Sequence, residues 1–574
     1  MRGIYKRYLS EIYSESDELL SSFITMPDDF NFGYDIIDDI ALNDPDRLAM
    51  VWCNPQGEEH RFTFFDLKYW SDKAAQMFID LGIQRGDNVL IALRRHYQFW
   101  FCALALMKIG AVMIPATFML KEHDLLYRFQ AGNIKAVISS TMGDFAQMVD
   151  NVYEEAPDLK LRILVDGLGP ENGEERAGQN DICIYPAHRE GWIDFNTEIQ
   201  TYTGPFAKIK TDAHAPFLMY FSSGTTGNPK LIMHNSSYAL AHICTAKSWH
   251  GVQSDGGLHF TIADTGWAKA AWGKLFGQWC MESCIFTYDY DRFDAHEILT
   301  LIERYGITTL CCPASMYRML AKRDLSAYDL SSIKRCTAAG EALNSDLYEY
   351  WKETTGLRIY EGFGQSETAL TIGNFLGMAH REGSMGKPSS LYTIELHDAD
   401  DHPCAAGETG EVCIKMESFT PGIMMGYYGN PAKTAEAMRN GWYHTGDTAY
   451  YDEDGYLFYI GRNDDVIKSN GYRIGPFEIE SVLLHHEAVA ECAVTGVPDP
   501  LRGFAVKATI VLTQGFNASE ELTAELQRWV KSETAPYKYP RIIEYVETLP
   551  KTYNGKIQRS AIRELSNVKE ACCA

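Results

Sequence analysis

The sequence predicts an α/β protein: a large N-terminal domain followed by a smaller α+β C-terminal domain. Three observations predict it. Amphipathic helical stretches alternate with short β-rich runs through the N-terminal part, the pattern of parallel strands covered by helices. The 574-residue length suggests about three or four folding units. The acidic excess also stops near residue 462: 39 basic and 62 acidic residues precede that point, and 13 and 15 follow it.

The elements follow in order. Residues 65–81 have helical periodicity and 87–92 read as a strand. The apolar run 99–120 is long enough to span a bilayer, but it contains Lys108, Gly110 and Pro115. A buried helix over 100–108 and a buried strand over 111–115 explain it better. Further strands are expected at 136–140 and 161–165, and the Gly- and Glu-rich stretch 167–181 reads as a surface excursion. Residues 450–460 read as a hairpin turning at Asp454-Gly455. Beyond it, 477–484 and 520–532 are helical in period, and 490–497 and 505–512 are strands. No internal repeat is visible.

Composition narrows the function. Hydrophobic residues make up 46% and the net charge is −25, so a nucleic-acid backbone or an anionic lipid surface would be repelled. An anionic substrate must therefore be met by local cations. The fourteen cysteines show no disulfide framework and read as reduced thiols. Cys280 with Cys284, or Cys311 with Cys312, lacks partners at zinc-ligand spacing. The N-terminus has acidic residues where a signal peptide needs an apolar core, so a cytoplasmic protein without a membrane span is expected.

The strongest chemical signal is Ser222-Ser223-Gly224-Thr225-Thr226-Gly227-Asn228-Pro229-Lys230. Four hydroxyls, two glycines and one lysine lie within nine residues. Glycines let backbone N–H groups approach an anion, hydroxyls add donors, and lysine adds a point charge. Apolar runs flank both sides, so the loop joins two strands. The Walker loop instead opens a helix with its Lys-Ser/Thr pair, which also disfavours a kinase.

With this loop, five further strings resemble the adenylate-forming superfamily of acyl- and aryl-CoA synthetases, peptide-synthetase adenylation domains and firefly luciferase. They are Ala339-Gly340-Glu341, Glu361-Gly362-Phe363-Gly364-Gln365-Ser366-Glu367, Trp442-Tyr443-His444-Thr445-Gly446-Asp447, Gly461-Arg462-Asn463-Asp464-Asp465 and Pro550-Lys551-Thr552-Tyr553-Asn554-Gly555-Lys556. Their order and spacing match from about residue 35 to 565. Medium-chain acyl-CoA synthetases are the most similar branch. The resemblance implies a multi-layer domain over 1–462 that includes a small β-barrel-like subdomain, a hinge at 463–465 and a mobile domain over 466–574.

It also implies chemistry. The family joins a carboxylate to ATP, giving acyl-AMP and pyrophosphate, and CoA then displaces AMP. Two anions must meet in the first step, so charge neutralisation dominates. Glu367 resembles the family's Mg²⁺ ligand, a lone carboxylate beside phosphate oxygens. Asp447 resembles the aspartate that accepts both ribose hydroxyls, with Arg462 beside ribose or phosphate. The 222–230 loop, with Thr225 as a catalytic member, and residues 340–341 and 361–366 would hold the rest of the nucleotide. Lys556 resembles the lysine that reaches the α-phosphate and the carboxylate; it also resembles lysines acetylated as an off-switch, which would make an acetyltransferase a partner.

Asp464 resembles the family hinge, and it could equally be a helix cap or turn residue. CoA, with its phosphates, would meet Asn470, Gly471, Tyr472, Arg473, Arg502, Lys531, Tyr539, Pro540 and Arg541, and by a weaker likeness Gln130. Arg473 also fits the nucleotide side. Trp267 in Ala263-Asp264-Thr265-Gly266-Trp267 would wall the acyl pocket. Gly364 stands where acetyl-CoA synthetases place a closing tryptophan, so the expected tunnel suits a medium-chain, branched or aromatic acid over acetate. The partners implied are thus a small carboxylate, ATP and CoA, with a homo-oligomer left open. A non-CoA acceptor, a propionate- or butyrate-sized acid, or a nucleotide-binding regulator without turnover are the alternatives. Loss of Lys556 or Glu367 would mark such a regulator, and both are present.

Overall fold

The computed structural model describes residues 3–165, 188–203, 206–222, 228–253, 257–341, 343, 345–469, 472–499, 502–535, 537–552 and 556–565. Two large sheets organise the N-terminal part. In the first, strands Val112–Pro115, Asn88–Ala92, Ile134–Ser140, Leu161–Val165 and Ile193–Asp194 run parallel, with Leu218–Ser222 added beside Val112–Pro115. Lys230–His234 pairs antiparallel with Leu218–Ser222, Ser222 facing Lys230, so the hydroxyl-rich loop closes a hairpin, as its apolar flanks require.

The second sheet has nine strands. Leu48–Cys53, Cys284–Tyr288, Leu258–Thr261, Thr309–Cys311, Arg335–Ala339 and Ile359–Phe363 form its parallel centre. Where the resemblance implied a barrel-like subdomain, Ile394–His397, Gly410–Lys415, Met438–Arg439, Trp442–Tyr451 and Leu457–Arg462 form a five-stranded antiparallel sheet. After the turn at 463–465, Val489–Asp499 and Gly503–Leu512 pair over ten register positions, and helices Pro476–Leu484 and Glu520–Glu533 pack on them around their own apolar cluster.

Helix Gln98–Ile109 is buried along its whole length and shares a core with Trp52 of the second sheet and Val89 of the first. A helix covered on all sides is apolar all round, which is why this segment mimics a membrane span. Among the described residues, no helix is long and apolar enough to cross a membrane. Its Lys108 is fully buried, with Nζ 2.7 Å from Asp38 Oδ1, 2.6 Å from Asp72 Oδ1 and 2.9 Å from Ser71 Oγ.

The topology places the motifs. Residues 263–267, 340–341 and 364–367 each follow the C-terminal end of a parallel strand of the second sheet, and 223–229 follow that of Leu218–Ser222 in the first. Carboxyl-end crevices of such sheets are where α/β proteins bind ligands.

Lys108→Met leaves the Asp38 and Asp72 carboxylates with Lys68 as their one remaining ion-pair partner among the described residues. It should destabilise the N-terminal part by about 3–5 kcal/mol in denaturant titration. A loss under about 1 kcal/mol would show that the triad does not hold this helix in place.

Candidate active site

The site forms where the two sheets, the five-stranded sheet and the C-terminal domain meet. Asp447, on strand Trp442–Tyr451, is 4% exposed. Its Oδ1 accepts the Tyr459 hydroxyl at 2.9 Å. Its Oδ2 accepts the Gln365 amide and lies 3.4 Å from Arg462 Nη1. Gln365 is itself fixed: its Nε2 donates to the Thr445 carbonyl at 2.8 Å and its Oε1 accepts from Tyr443 Oη at 2.7 Å. Gly446 adopts a φ of 71°, and an added Cβ there would lie 3.1 Å from Arg462 Nη2, so glycine suits both the turn and the arginine's approach. Burial raises the Asp447 pKa, with Arg462 and the Tyr459 and Gln365 hydrogen bonds opposing; Arg462 stays raised despite burial because it faces Asp447. A carboxylate offers about four acceptor sites, so Asp447 keeps capacity for a diol.

Glu367 lies across the crevice. Tyr427 Oη donates to its Oε1 at 3.1 Å, and Lys230 Nζ sits 4.9 Å over the Tyr427 ring. Burial raises the Glu367 pKa, and Arg462 and Lys230 act on it only as charges. It is a half-buried carboxylate with no direct cation among the described residues, which fits a divalent ion completed by other oxygens. Glu361 is also pushed up, to about 7, by burial, against the Leu343 N–H at 3.1 Å. Glu341 accepts the Ser315 N–H at 3.0 Å, and Lys269 Nζ donates to the Ala339 carbonyl at 2.7 Å.

Lys556 arrives from the C-terminal domain, at the far side of a turn in which Thr552 N–H donates to its carbonyl at 2.7 Å. It is solvent-exposed, yet the charges acting on it are Glu341, Lys269, Asp447 and Arg462 of the larger domain. Its pKa is lowered, first by desolvation and with Glu341 opposing. Asp464 lies in the connecting turn, 3.6 Å from Arg462 Nε; Asp465 next to it is buried and pairs with Arg563 at 2.7 Å.

Other expected residues fall as follows. Lys531, Tyr539 and Arg541 come together: Lys531 Nζ is 4.0 Å over the Tyr539 ring, and Arg541 Nη1 donates to its hydroxyl at 2.7 Å. Pro540 between them is buried. Tyr472 stacks on Tyr537 at 4.0 Å, and Arg502 pairs with Asp499 at 3.4 Å. Gln130 is on helix Glu122–Ala131 of the larger domain, exposed and donating to the Glu155 carbonyl at 3.1 Å. Asn228 is exposed, and the Pro229 carbonyl accepts from Tyr127 Oη at 2.9 Å. Gly340, Gly362, Phe363 and Ser366 lie at or just beyond strand ends of the second sheet, and Trp267 is half-buried. Ser223, Gly224, Thr225, Thr226, Gly227, Asn470, Gly471 and the Arg473 side chain lie outside the described residues, as do residues 167–181.

Gly364 has close neighbours on its Cβ side. A Cβ there would lie 2.5 Å from Trp272 Cη2 and from the Ala369 carbonyl oxygen, so the room the glycine leaves is taken by an indole from another element. Sequence reasoning missed Trp272, Tyr427 and Lys269, whose positions come from folding, and it gave no role to Tyr443 and Tyr459, although the quoted 442–447 string and the 450–460 hairpin contain them.

Buried histidines bear on stability. His259 and His242 are fully buried, with burial the largest cause of pKa values near 3, against an ordinary 6.5; His234 is near 4. The unfolded chain binds these protons below pH 6.5 while the folded chain does not. Stability is therefore complete above that pH and falls as pH drops towards 3, by about 1.4 kcal/mol per unit for each histidine. Thermal unfolding from pH 7 to 5 should show a falling Tm, and His259→Gln should flatten the slope. A pH-independent Tm would contradict neutral buried imidazoles.

Comparison with known proteins gives consistent results. The family model described as AMP-binding enzyme matches residues 37–428, and that of the AMP-binding enzyme C-terminal domain matches 478–556. Human "Acyl-coenzyme A synthetase ACSM5, mitochondrial" is 40% identical over 548 residues, covering 94% of this chain and 91% of its own length. Mouse "Acyl-coenzyme A synthetase ACSM4, mitochondrial" is 38% identical with the same coverage. Among solved structures, the anthranilate CoA ligase AuaEII in complex with anthranoyl-AMP matches with a TM-score of 0.82 at 28% identity, covering 95% of this chain and 99% of its own. A benzoate CoA ligase from Burkholderia xenovorans LB400 matches at 0.77 and 26%, covering 93% and 100%. The expected cytoplasmic location is overturned, because these acyl-coenzyme A synthetase relatives are named as mitochondrial.

Proposed function

The chain belongs to the AMP-binding enzymes, and from that premise we propose that it is an ATP-dependent, AMP-forming acyl-CoA synthetase. It adenylates a medium-chain, branched or aromatic carboxylate and passes the acyl group to CoA. One observation supports the reading: at one crevice the buried Asp447 is held by Tyr459 at 2.9 Å and by Arg462 at 3.4 Å, and the charges felt by Lys556 of the small domain include those of the same crevice. Cations from both domains at one crevice are what the meeting of a carboxylate with a triphosphate demands of an acidic chain.

In this reading Asp447 takes the ribose hydroxyls, held in place by Gln365, Tyr459 and Arg462. Lys230 and the 222–230 loop face the phosphates. Glu367 would hold Mg²⁺, which when bound neutralises phosphate charge. Lys556 stabilises charge developing on the α-phosphate and on the acid oxygen. Residues 1–462 form the adenylating domain, 463–465 the hinge and 466–574 the mobile domain. The Lys531–Tyr539–Arg541 cluster offers cations and a ring face to CoA. Acetylation of Lys556 by a partner enzyme would remove its charge and switch off the first step. The relatives' mitochondrial location is adopted for this chain.

Lys556→Ala should lower acid-dependent pyrophosphate release by about 10²–10³-fold. It should affect thioester formation from supplied acyl-adenylate far less. Equal loss in both steps would sink the assigned role. Asp464→Pro should leave adenylation measurable and block overall turnover, because the hinge dihedrals can no longer interconvert; full steady-state turnover in that variant would count against the hinge.

A further inference from the structure

A second cluster lies on the five-stranded sheet, where His444 shares a strand with Asp447. Cys413, on strand Gly410–Lys415, stands directly opposite His444 on strand Trp442–Tyr451. Its Sγ is 3.4 Å from His444 Nδ1. Glu411 precedes Cys413 by two residues, with a register shift between them, and its Oε2 is 3.1 Å from the same nitrogen. One ligand atom from each of the three residues lies within 4.8 Å of the other two. Cys413 is fully buried and His444 is 6% exposed. Asp401 Oδ1 is 4.0 Å from His444 Nδ1. Arg439 lies against both carboxylates, with Nη2 3.2 Å from Asp401 Oδ1 and 3.7 Å from Glu411 Oε2.

Hydrogen bonding alone serves this convergence poorly. A ring nitrogen offers one proton or one lone pair in the ring plane, so Nδ1 can serve either the thiol or the carboxylate. His444 Nε2 is buried and has no hydrogen-bond partner among the described residues, so the ring acts through Nδ1. A zinc ion can join all three groups at once. Its usual bond lengths and a tetrahedral angle put a sulfur and a nitrogen ligand about 3.6 Å apart, and an oxygen and a nitrogen about 3.3 Å apart. The observed 3.4 and 3.1 Å fall close to both. Charge agrees as well. Zn²⁺ and Arg439 together balance a Cys413 thiolate, Glu411 and Asp401, whereas without the ion the two carboxylates face Arg439 alone.

We propose that Glu411, Cys413 and His444, with Asp401 as the fourth ligand, form a structural zinc site. Asp401 Oδ1 turns to the ion while Oδ2 keeps Arg439 Nε, now 3.4 Å away. Binding releases the Cys413 thiol proton to solvent. Glu411 Oε1 meanwhile accepts the Gly446 N–H at 2.8 Å, so one carboxylate would join the ion to the turn that carries Asp447. The ligand set also separates this site from Glu367. Thiolate and imidazole suit zinc, whereas magnesium takes oxygen ligands. The inference does not depend on which acid the protein activates.

Cobalt(II), which takes zinc's place in such sites and is coloured, tests it. The full chain, stripped of metal by a chelator under reducing conditions, is titrated with CoCl₂ in the presence of excess Mg²⁺. The expected result is one Co²⁺ per chain with a near-ultraviolet thiolate-to-cobalt charge-transfer band and the visible bands of a tetrahedral ion. Added Zn²⁺ should bleach both and raise the Tm. Cys413→Ser should abolish the charge-transfer band. Glu411→Gln should weaken Co²⁺ binding by at least about 10–100-fold, the loss that outer-shell changes alone cause. That variant keeps the measurement readable if the serine variant does not fold. No charge-transfer band in the unaltered chain overturns the proposal, because a cobalt ion at Glu367 has no thiolate to give one. So does a band that survives Cys413→Ser, or an affinity unmoved by Glu411→Gln. Each of these failures leaves the synthetase reading standing, since pyrophosphate release tests that separately.

Discussion

Charge is the constraint on which the rest depends. A protein with a net charge of −25 cannot attract a triphosphate by its overall field. It must gather cations locally and keep its own carboxylates from repelling the same ligand. The Asp447–Arg462 pair does both. Arg462 neutralises a buried aspartate that Tyr459 and Gln365 hold in one orientation, and it lies one residue before the turn that leads into the C-terminal domain. Electrostatics and domain geometry are thus coupled through one arginine.

The two-sheet architecture supplies the rigidity this arrangement needs. Motif segments leave the carboxyl ends of neighbouring parallel strands, so side chains distant in sequence converge without long loops of their own. The buried Lys108–Asp38–Asp72 triad and the wholly buried helix Gln98–Ile109 fill the space between the sheets. Buried ion pairs are weak evidence for net stability, but removing one partner is costly, so such a triad fixes how the helix docks.

Much of this was legible in the sequence because local physics sets it. The strand at Leu161–Val165 and the hairpin around residues 222–230 follow from apolar runs and turn residues, and the helices at Phe64–Asp80 and Glu520–Glu533 from periodicity. The ends shifted by one or two residues where capping, such as Thr63 with Asp66, decided the boundary. The acyl side was not legible. Gly364 reads as empty space until Trp272, about ninety residues earlier, is seen to fill it. Nor does any spacing rule announce that Glu411, Cys413 and His444 share a cluster. Only Glu411 and Cys413, two apart on one strand, carried a signal that periodicity could have found. The location was misjudged because the expectation rested on charge near residue 1, whereas the relatives' names speak for a different compartment.

The central claim is that a carboxylate is joined to AMP before it meets a thiol, and isotope transfer tests it most directly. With an acid labelled with ¹⁸O in both carboxyl oxygens, ATP, magnesium and CoA, the account predicts that AMP recovered after turnover carries one ¹⁸O from the acid, while pyrophosphate carries none. Label in inorganic phosphate, with ADP as the nucleotide product, would mean an acyl-phosphate route and would contradict the account.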